Sequence, residues 1–161
     1  MFDLATLTSR ELLALHARVS DQLRTRGITR SSNNPVGDLA EHLFCKAFNW
    51  DRAGNSNANV DATDRDRVRY QIKGRRLTKF NKSRQLSSIR EFEGAHFDFL
   101  AGVLFAEDYS VIRAGLIPYA VVKERATFVA HTNSHKFLLR DDVWESPSVR
   151  DVTEELRAVS L

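Results

Sequence analysis

The run at 97–105, Phe-Asp-Phe-Leu-Ala-Gly-Val-Leu-Phe, is the strongest constraint on what this chain can become. Apolar side chains follow one another with almost no alternation. Successive side chains of a strand point to opposite faces, so a strand of this composition is buried on both. The sheet that contains it therefore needs cover on each side. In a chain of 161 residues that cover comes from the same domain, which is long enough to bury a core without metal or disulfide staples.

The elements around that strand follow from local patterns. A helix is expected over 8–26. Thr8 and Glu11 have capping-box spacing, Leu12, Leu15, Val19 and Leu23 recur at helical spacing, and Gly27 suits a left-handed stop. A second helix is expected over 35–48, with Asn34 as cap and Pro35 as first residue. Val36, Leu39, Ala40, Leu43, Phe44 and Ala47 form its apolar stripe, and Glu41 sits at the edge of that stripe. A strand pair is expected over 59–63 and 68–73, turning through Asp64-Arg65-Asp66-Arg67. Further strands are expected at 111–117 and 136–139, and Pro118 opens a short helix to 125. Ser148 is placed to cap a last helix carrying Val149, Val152, Leu156 and Val159. This order predicts a single α/β domain, a mixed central β-sheet flanked by helices: an N-terminal helix at about 8–26, a core at about 35–126 and a C-terminal extension with a helix at about 127–161.

Composition excludes several classes. The chain is 42% hydrophobic and 28% charged, a globular balance. It has one cysteine, Cys45, so an internal disulfide and a four-cysteine zinc site are both excluded, and a reducing, cytoplasmic setting is expected. Met1-Phe2-Asp3-Leu4 lacks the basic flank and apolar run of a signal peptide. No apolar stretch nears the ~18 residues of a membrane span, so no membrane partner is expected. The net charge of +3 comes from 24 basic and 21 acidic residues. Its distribution therefore matters more than its sum.

Strand parity picks out a polar group. Val60 and Ala62 share one face of the first strand of the pair, and Val68, Tyr70 and Ile72 one face of the second. A register placing Val60 opposite Ile72 sets Asp61 opposite Gln71. Asp61, Gln71 and Lys73 then gather on the other face. Asp64 falls on the apolar face or in the turn, so Asp61 is the preferred functional carboxylate.

Gly37-x-x-x-Glu41 on a helix, Asp61 within Asn-Val-Asp-Ala-Thr-Asp, and Gln71-Ile-Lys73 on the next strand together resemble the PD-(D/E)XK nuclease superfamily, which has the restriction-endonuclease-like fold. The resemblance spans about 35–76, with looser support from the later strand-strand-helix order. It implies a restriction-endonuclease-like core and a metal-dependent endodeoxyribonuclease of restriction or DNA-repair type. It implies Asp61, Gln71, Lys73 and Glu41 as catalytic residues, with Asp61, Gln71 and Glu41 holding Mg²⁺ or, as a substitute, Mn²⁺. No small-molecule cofactor is implied. Two departures stand out. Gln71 replaces the usual Glu or Asp, which is similar to Mrr-like restriction enzymes and removes one anionic ligand. Val60, not proline, precedes Asp61. Cleavage of both strands would call for a homodimer. The competing readings are a catalytically degenerate nucleic-acid-binding module and a subunit of a restriction or defence assembly.

A basic run supports a DNA partner. Residues 69–90 hold Arg69, Lys73, Arg75, Arg76, Lys79, Lys82, Arg84 and Arg90 and no acidic residue. Beside a phosphate-cleaving site, Arg69, Arg75, Arg76, Lys79, Lys82 and Arg84 read as backbone contacts. Two readings stay open for Phe80, within the run: it stacks on a base, or it anchors the loop to the core. Arg10, Arg18, Arg24 and Arg26 leave the first helix two roles, touching DNA or covering the core.

Overall fold

A computed structural model describes residues 3–31, 33–54 and 59–161. Helix α1 (Ser9–Thr25) begins with the expected capping box: the Thr8 hydroxyl accepts from the Glu11 amide, and the Glu11 carboxylate accepts from the Thr8 amide at 2.8 Å. Gly27 adopts the expected left-handed conformation, φ +72°. The stripe of α1 does not reach the core. No residue of the helix is buried, and Leu13 and Val19 are exposed. The core-covering role left open by its sequence is therefore excluded.

Helix α2 (Val36–Phe48) buries Leu39, Ala40, Leu43 and Phe44, as its stripe requires. Pro35 occupies the cap position, and the Asn34 side-chain oxygen accepts from the Val36 amide at 3.1 Å. The chain then forms β1 (Asp51–Arg52), β2 (Ala62–Thr63), β3 (Arg69–Arg76), β4 (Ile89–Arg90), β5 (Phe99–Phe105) and β6 (Val111–Pro118). Helix α3 (Tyr119–Arg125) starts immediately after Pro118, as expected. Strands β7 (Thr127–Val129), β8 (Ser134–Lys136) and β9 (Arg150–Asp151) and helix α4 (Thr153–Arg157) complete the chain.

The six-stranded sheet has the order β1-β2-β3-β5-β6-β9, and β4-β8-β7 form a separate three-stranded sheet. Only β3 and β5 run parallel among the pairs of the larger sheet, so it is mixed. Strand β5 is its spine, with Leu100, Ala101, Val103, Leu104 and Phe105 fully buried. One face, bearing Tyr70, Ile72, Ala101 and Val103, packs on α2 and α4. There Trp50 stacks on Tyr70 with centroids 3.7 Å apart. The opposite face, bearing Leu100, Leu104 and Ile117, packs on Leu86, Ile89, Phe92, Val121, Phe137 and Leu139. This is a single α/β domain with a mixed central sheet flanked by helices. Among the described residues no helix is long and apolar enough to cross a membrane.

Four expectations need correction. The 59–63 strand shrinks to Ala62–Thr63, because its pairing with β3 stops at Ala62–Tyr70. The last helix is not capped by Ser148. Residues 150–151 instead join the sheet as β9, and the Asp151 carboxylate accepts from the Thr153 amide at 3.0 Å where α4 begins. The strand expected at 136–139 ends at Lys136, leaving one isolated bridge from Gln85 to Leu138. Strand β3 in turn runs through Gly74 to Arg76, beyond its expected end at 73.

Gly74 marks where β3 passes closest to α2. A Cβ there would lie 3.1 Å from the Ala40 Cβ, the Val36 Cγ1 and the Val36 carbonyl oxygen. Gly74→Val is expected to force α2 off the sheet and destabilise the domain by about 1–3 kcal/mol, with Gly74→Ala losing less. Urea denaturation followed by circular dichroism checks both.

Candidate functional site

Where β2 fails to continue alongside β3, a cavity of about 370 Å³ opens between β3 and the N-terminal half of α2. Asn34, Val36, Gly37 and Glu41 line it from the helix side, Asp61 from the approach to β2, and Ile72, Lys73, Gly74, Arg75 and Arg76 from β3, with Ser87 at one end. Three of the four residues singled out from the sequence, Glu41, Asp61 and Lys73, thus share one cavity. Gln71 does not line it.

The register behind that expectation holds only for the paired residues. Ala62 pairs with Tyr70 and Thr63 with Arg69. The Asp61 amide then donates to the Tyr70 carbonyl at 2.9 Å, a one-residue offset. The expected pairs Asp61–Gln71 and Val60–Ile72 do not form. With no strand left to accept from it, the Ile72 amide donates to the Asp61 carboxylate, Oδ2, at 2.7 Å. A buried backbone donor needs such a partner. This bond replaces a ladder bond and pins the Asp61 side chain at the sheet edge.

Burial pushes the Asp61 carboxyl above its ordinary pKa. The Ile72 hydrogen bond and the charges of Lys73 and Arg30 oppose that rise, and Glu41 adds to it. Asp61 is therefore a carboxylate held against its desolvation, which the nearby cations only partly offset. Lys73 makes no ion pair among the described residues and remains a compact cation in the same cavity.

Glu41 is engaged differently. Its Oε2 accepts from Arg30 Nη2 and, at 2.7 Å, from Arg52 Nε. Asp38, one turn earlier, accepts from the Arg30 and Ser31 amides at 2.9 and 3.1 Å. Two guanidinium groups thus converge on one of its two carboxylate oxygens. Glu41 lies in the cavity wall, but its surroundings suit a carboxylate already neutralised.

Gln71 is 4% exposed. It pairs with Leu100 and lies on the sheet face away from α2. That face is not the solvated polar face that parity suggested, because the second apolar cluster covers it. The Gln71 side-chain oxygen, Oε1, is buried with no hydrogen-bond partner among the described residues. Such orphaned acceptors are uncommon, because an unmade bond in a dry interior costs about 1–3 kcal/mol.

Asp64 has the structural role that its parity implied. It accepts from the Asp66 and Val68 amides and from the Tyr70 hydroxyl, each at 2.9 Å. Burial, then Asp64, pushes the Tyr70 phenol above its ordinary value. Cys45 is a half-buried thiol, its pKa pushed up to about 11 by burial, and not an activated nucleophile.

The basic run divides by partner. Arg69 is held by Asp98 through two side-chain bonds of 2.8 and 3.1 Å, which keep that carboxyl below its ordinary value. Arg84 pairs with Asp141 at 2.8 Å. These two guanidinium groups lie outside the cavity, contrary to a continuous phosphate-contacting surface. Arg75 and Arg76 line it. Arg75 donates to the Ser83 carbonyl at 3.0 Å, and Arg76 lies over the Tyr109 ring at 4.5 Å. Lys79 and Lys82 are exposed beyond them.

Sequence reasoning did not single out Arg30, Arg52 or Gly74. Only Gly74 carried a local signal, since glycine inside a strand marks close approach of another backbone. His131 and His135 have the i, i+4 spacing of metal ligands on a helix, but they lie on no α-helix, because β8 begins at Ser134. No protein-family model matches the chain, and no curated protein matches it.

A carboxyl whose folded pKa is raised stabilises the fold below the unfolded-chain value and loses that contribution as pH rises through the folded one. Asp61→Asn keeps an acceptor for the Ile72 amide without the buried charge. It is expected to melt above the wild type near pH 7, with the gap closing as pH falls through the raised folded pKa and gone below about 4. Differential scanning fluorimetry across pH checks this; a gap independent of pH would contradict it.

Proposed function

We propose that the chain is a metal-dependent endodeoxyribonuclease that hydrolyses DNA phosphodiester bonds, related in kind to the PD-(D/E)XK nucleases that its sequence resembles. The observation that carries this reading is the cavity lined together by Asp61, a half-buried carboxylate whose pKa desolvation raises, and by Lys73, Arg75 and Arg76. The choice of DNA over RNA rests on the resemblance alone.

The donor set fits one hard divalent cation. Among the described residues no three His, Cys, Asp or Glu side chains cluster to hold a metal. Mg²⁺, however, typically keeps several waters and binds through one or two carboxylates plus substrate phosphates. Asp61 would hold it; the Gln71 oxygen, buried on the other sheet face and outside the cavity, is not offered to the same ion. Glu41, occupied by Arg30 and Arg52, is left out of the ligand set. Once bound, the ion would polarise the phosphate and acidify a water.

The protein's own groups do the rest. Arg75 and Arg76 draw the phosphate backbone to the cavity mouth. Lys73 places a positive charge where the attacked phosphate becomes more negative. The Ile72 amide fixes the Asp61 carboxylate so that it need not reorganise when substrate arrives. A cytoplasmic location accords with a single free cysteine. Double-strand cleavage would require a second copy of the site, and hence a homodimer.

One observation favours a second reading, a binding module that has lost catalysis. Gln71 is neutral and Glu41 is neutralised, so a single carboxylate remains for the metal. Nicking of supercoiled plasmid with Mg²⁺, Mn²⁺ or EDTA separates the two readings. Metal-dependent nicking is expected, and Asp61→Ala and Lys73→Ala are each expected to lose roughly 100-fold or more while keeping a wild-type circular dichroism spectrum. Wild-type cleavage by either folded variant would refute the assignment. Duplex binding is expected to weaken steeply with salt. Arg75→Ala/Arg76→Ala should flatten the log–log salt slope by about 2, two phosphate contacts at about 0.9 each. Titration by fluorescence anisotropy at several salt concentrations measures it.

A further inference from the structure

We infer that the turn beyond the cavity is a stacking platform for an unpaired base, so that the substrate is single-stranded DNA or a duplex with an unpaired stretch. This rests on the nucleic-acid reading of the cavity and narrows it to a substrate class.

Phe80 is 86% exposed, more than any other large apolar side chain among the described residues. It does not anchor the loop to the core. A built turn holds it outward. Thr78 and Asn81 exchange backbone hydrogen bonds of 2.9 and 3.2 Å, and the Thr78 hydroxyl accepts from the Phe80 and Asn81 amides at 3.3 and 3.1 Å. The base of the turn is tied to the sheet where the Leu77 amide donates to the Phe105 carbonyl at 2.8 Å. Its tip is Lys79-Phe80, with the Lys79 ammonium 5.0 Å from the ring centroid.

An apolar ring held in water by an ordered turn suits a partner that offers a flat apolar face. The surrounding charge selects which partner. No acidic residue occurs from 69 to 90, and Lys79 and Lys82 flank the ring. A nucleic acid supplies both a π face and phosphates, whereas an apolar protein surface supplies only the first. Phe80 lies four residues beyond Arg76 in the cavity wall, at most ~14 Å of chain. At about 3.4 Å per base along one strand, that is a reach of roughly four nucleotides. In an intact duplex the base faces are already stacked on one another. The ring therefore needs a base without a partner.

The test is binding of the full chain, in EDTA, to a fluorescein-labelled oligonucleotide of mixed sequence, single-stranded or annealed to its complement. The wild type is expected to bind the single strand more tightly than the duplex at equal salt. Phe80→Ala should weaken single-strand binding by roughly 5- to 100-fold, the range for loss of one stacked base, and leave duplex binding within about 2-fold. Phe80→Trp should restore affinity. Unchanged single-strand binding by Phe80→Ala, an equal loss on both substrates, or no binding to either would overturn the inference. The readout needs no catalysis. Loss of nicking in the nuclease assay with the Phe80 effect intact would therefore sink the nuclease reading alone, and nicking without a Phe80 effect would sink only this one.

Discussion

Strand β5 has no face in contact with water, and the rest of the molecule is arranged around that fact. Its buried side chains alternate between two apolar clusters. On one side Ala101 and Val103 need α2 and α4. On the other Leu100 and Leu104 need α3 and the loops that bring in Leu86, Phe92 and Phe137. At about 25 cal/mol per Å² of apolar surface removed from water, burial on both faces outweighs what any surface contact of this chain can contribute. β3, the parallel neighbour of β5, is thereby held with one face under α2 and the other under the second cluster. The candidate site lies where β3 outruns its other neighbour.

That site is assembled from an interruption. β2 gives β3 only two paired residues, and the carboxylate of Asp61 then serves the Ile72 amide that a longer strand would have served. A charged group is thereby drawn into partial burial, against its desolvation energy. Stability alone would favour a neutral acceptor at this position. A half-buried carboxylate sharing a cavity with a lysine is the kind of arrangement found at functional sites, as the proposed reading requires.

Charge in this molecule is allocated, not merely present. The basic run looks uniform along the chain, yet the fold gives each cation a different task. Asp98 takes Arg69, Asp141 takes Arg84, and Arg30 and Arg52 of neighbouring segments converge on Glu41. Arg75 and Arg76 alone among the run's arginines line the cavity. A net charge of +3 conveys none of this, because ion pairs form between residues far apart in sequence.

Local periodicity made much of the architecture legible. The unbroken apolar run announced β5. The capping box announced the start of α1, the stripe and Asn34-Pro35 announced α2, and Pro118 announced α3. Each depends on residues within one or two turns of each other. The motif residues Glu41, Asp61 and Lys73 lie far apart in the chain, and it was the resemblance, more than any local pattern, that pointed to a shared location. Other features were decided only when distant segments met. The early stop of β2, the burial of Gln71 under the second cluster and the capture of Arg69 by Asp98 are such cases. So is the exposed stripe of α1, which has helical spacing but no surface opposite it. Periodicity is written into a segment by its own side chains, whereas strand length, burial and ion pairing depend on what the rest of the chain places against that segment.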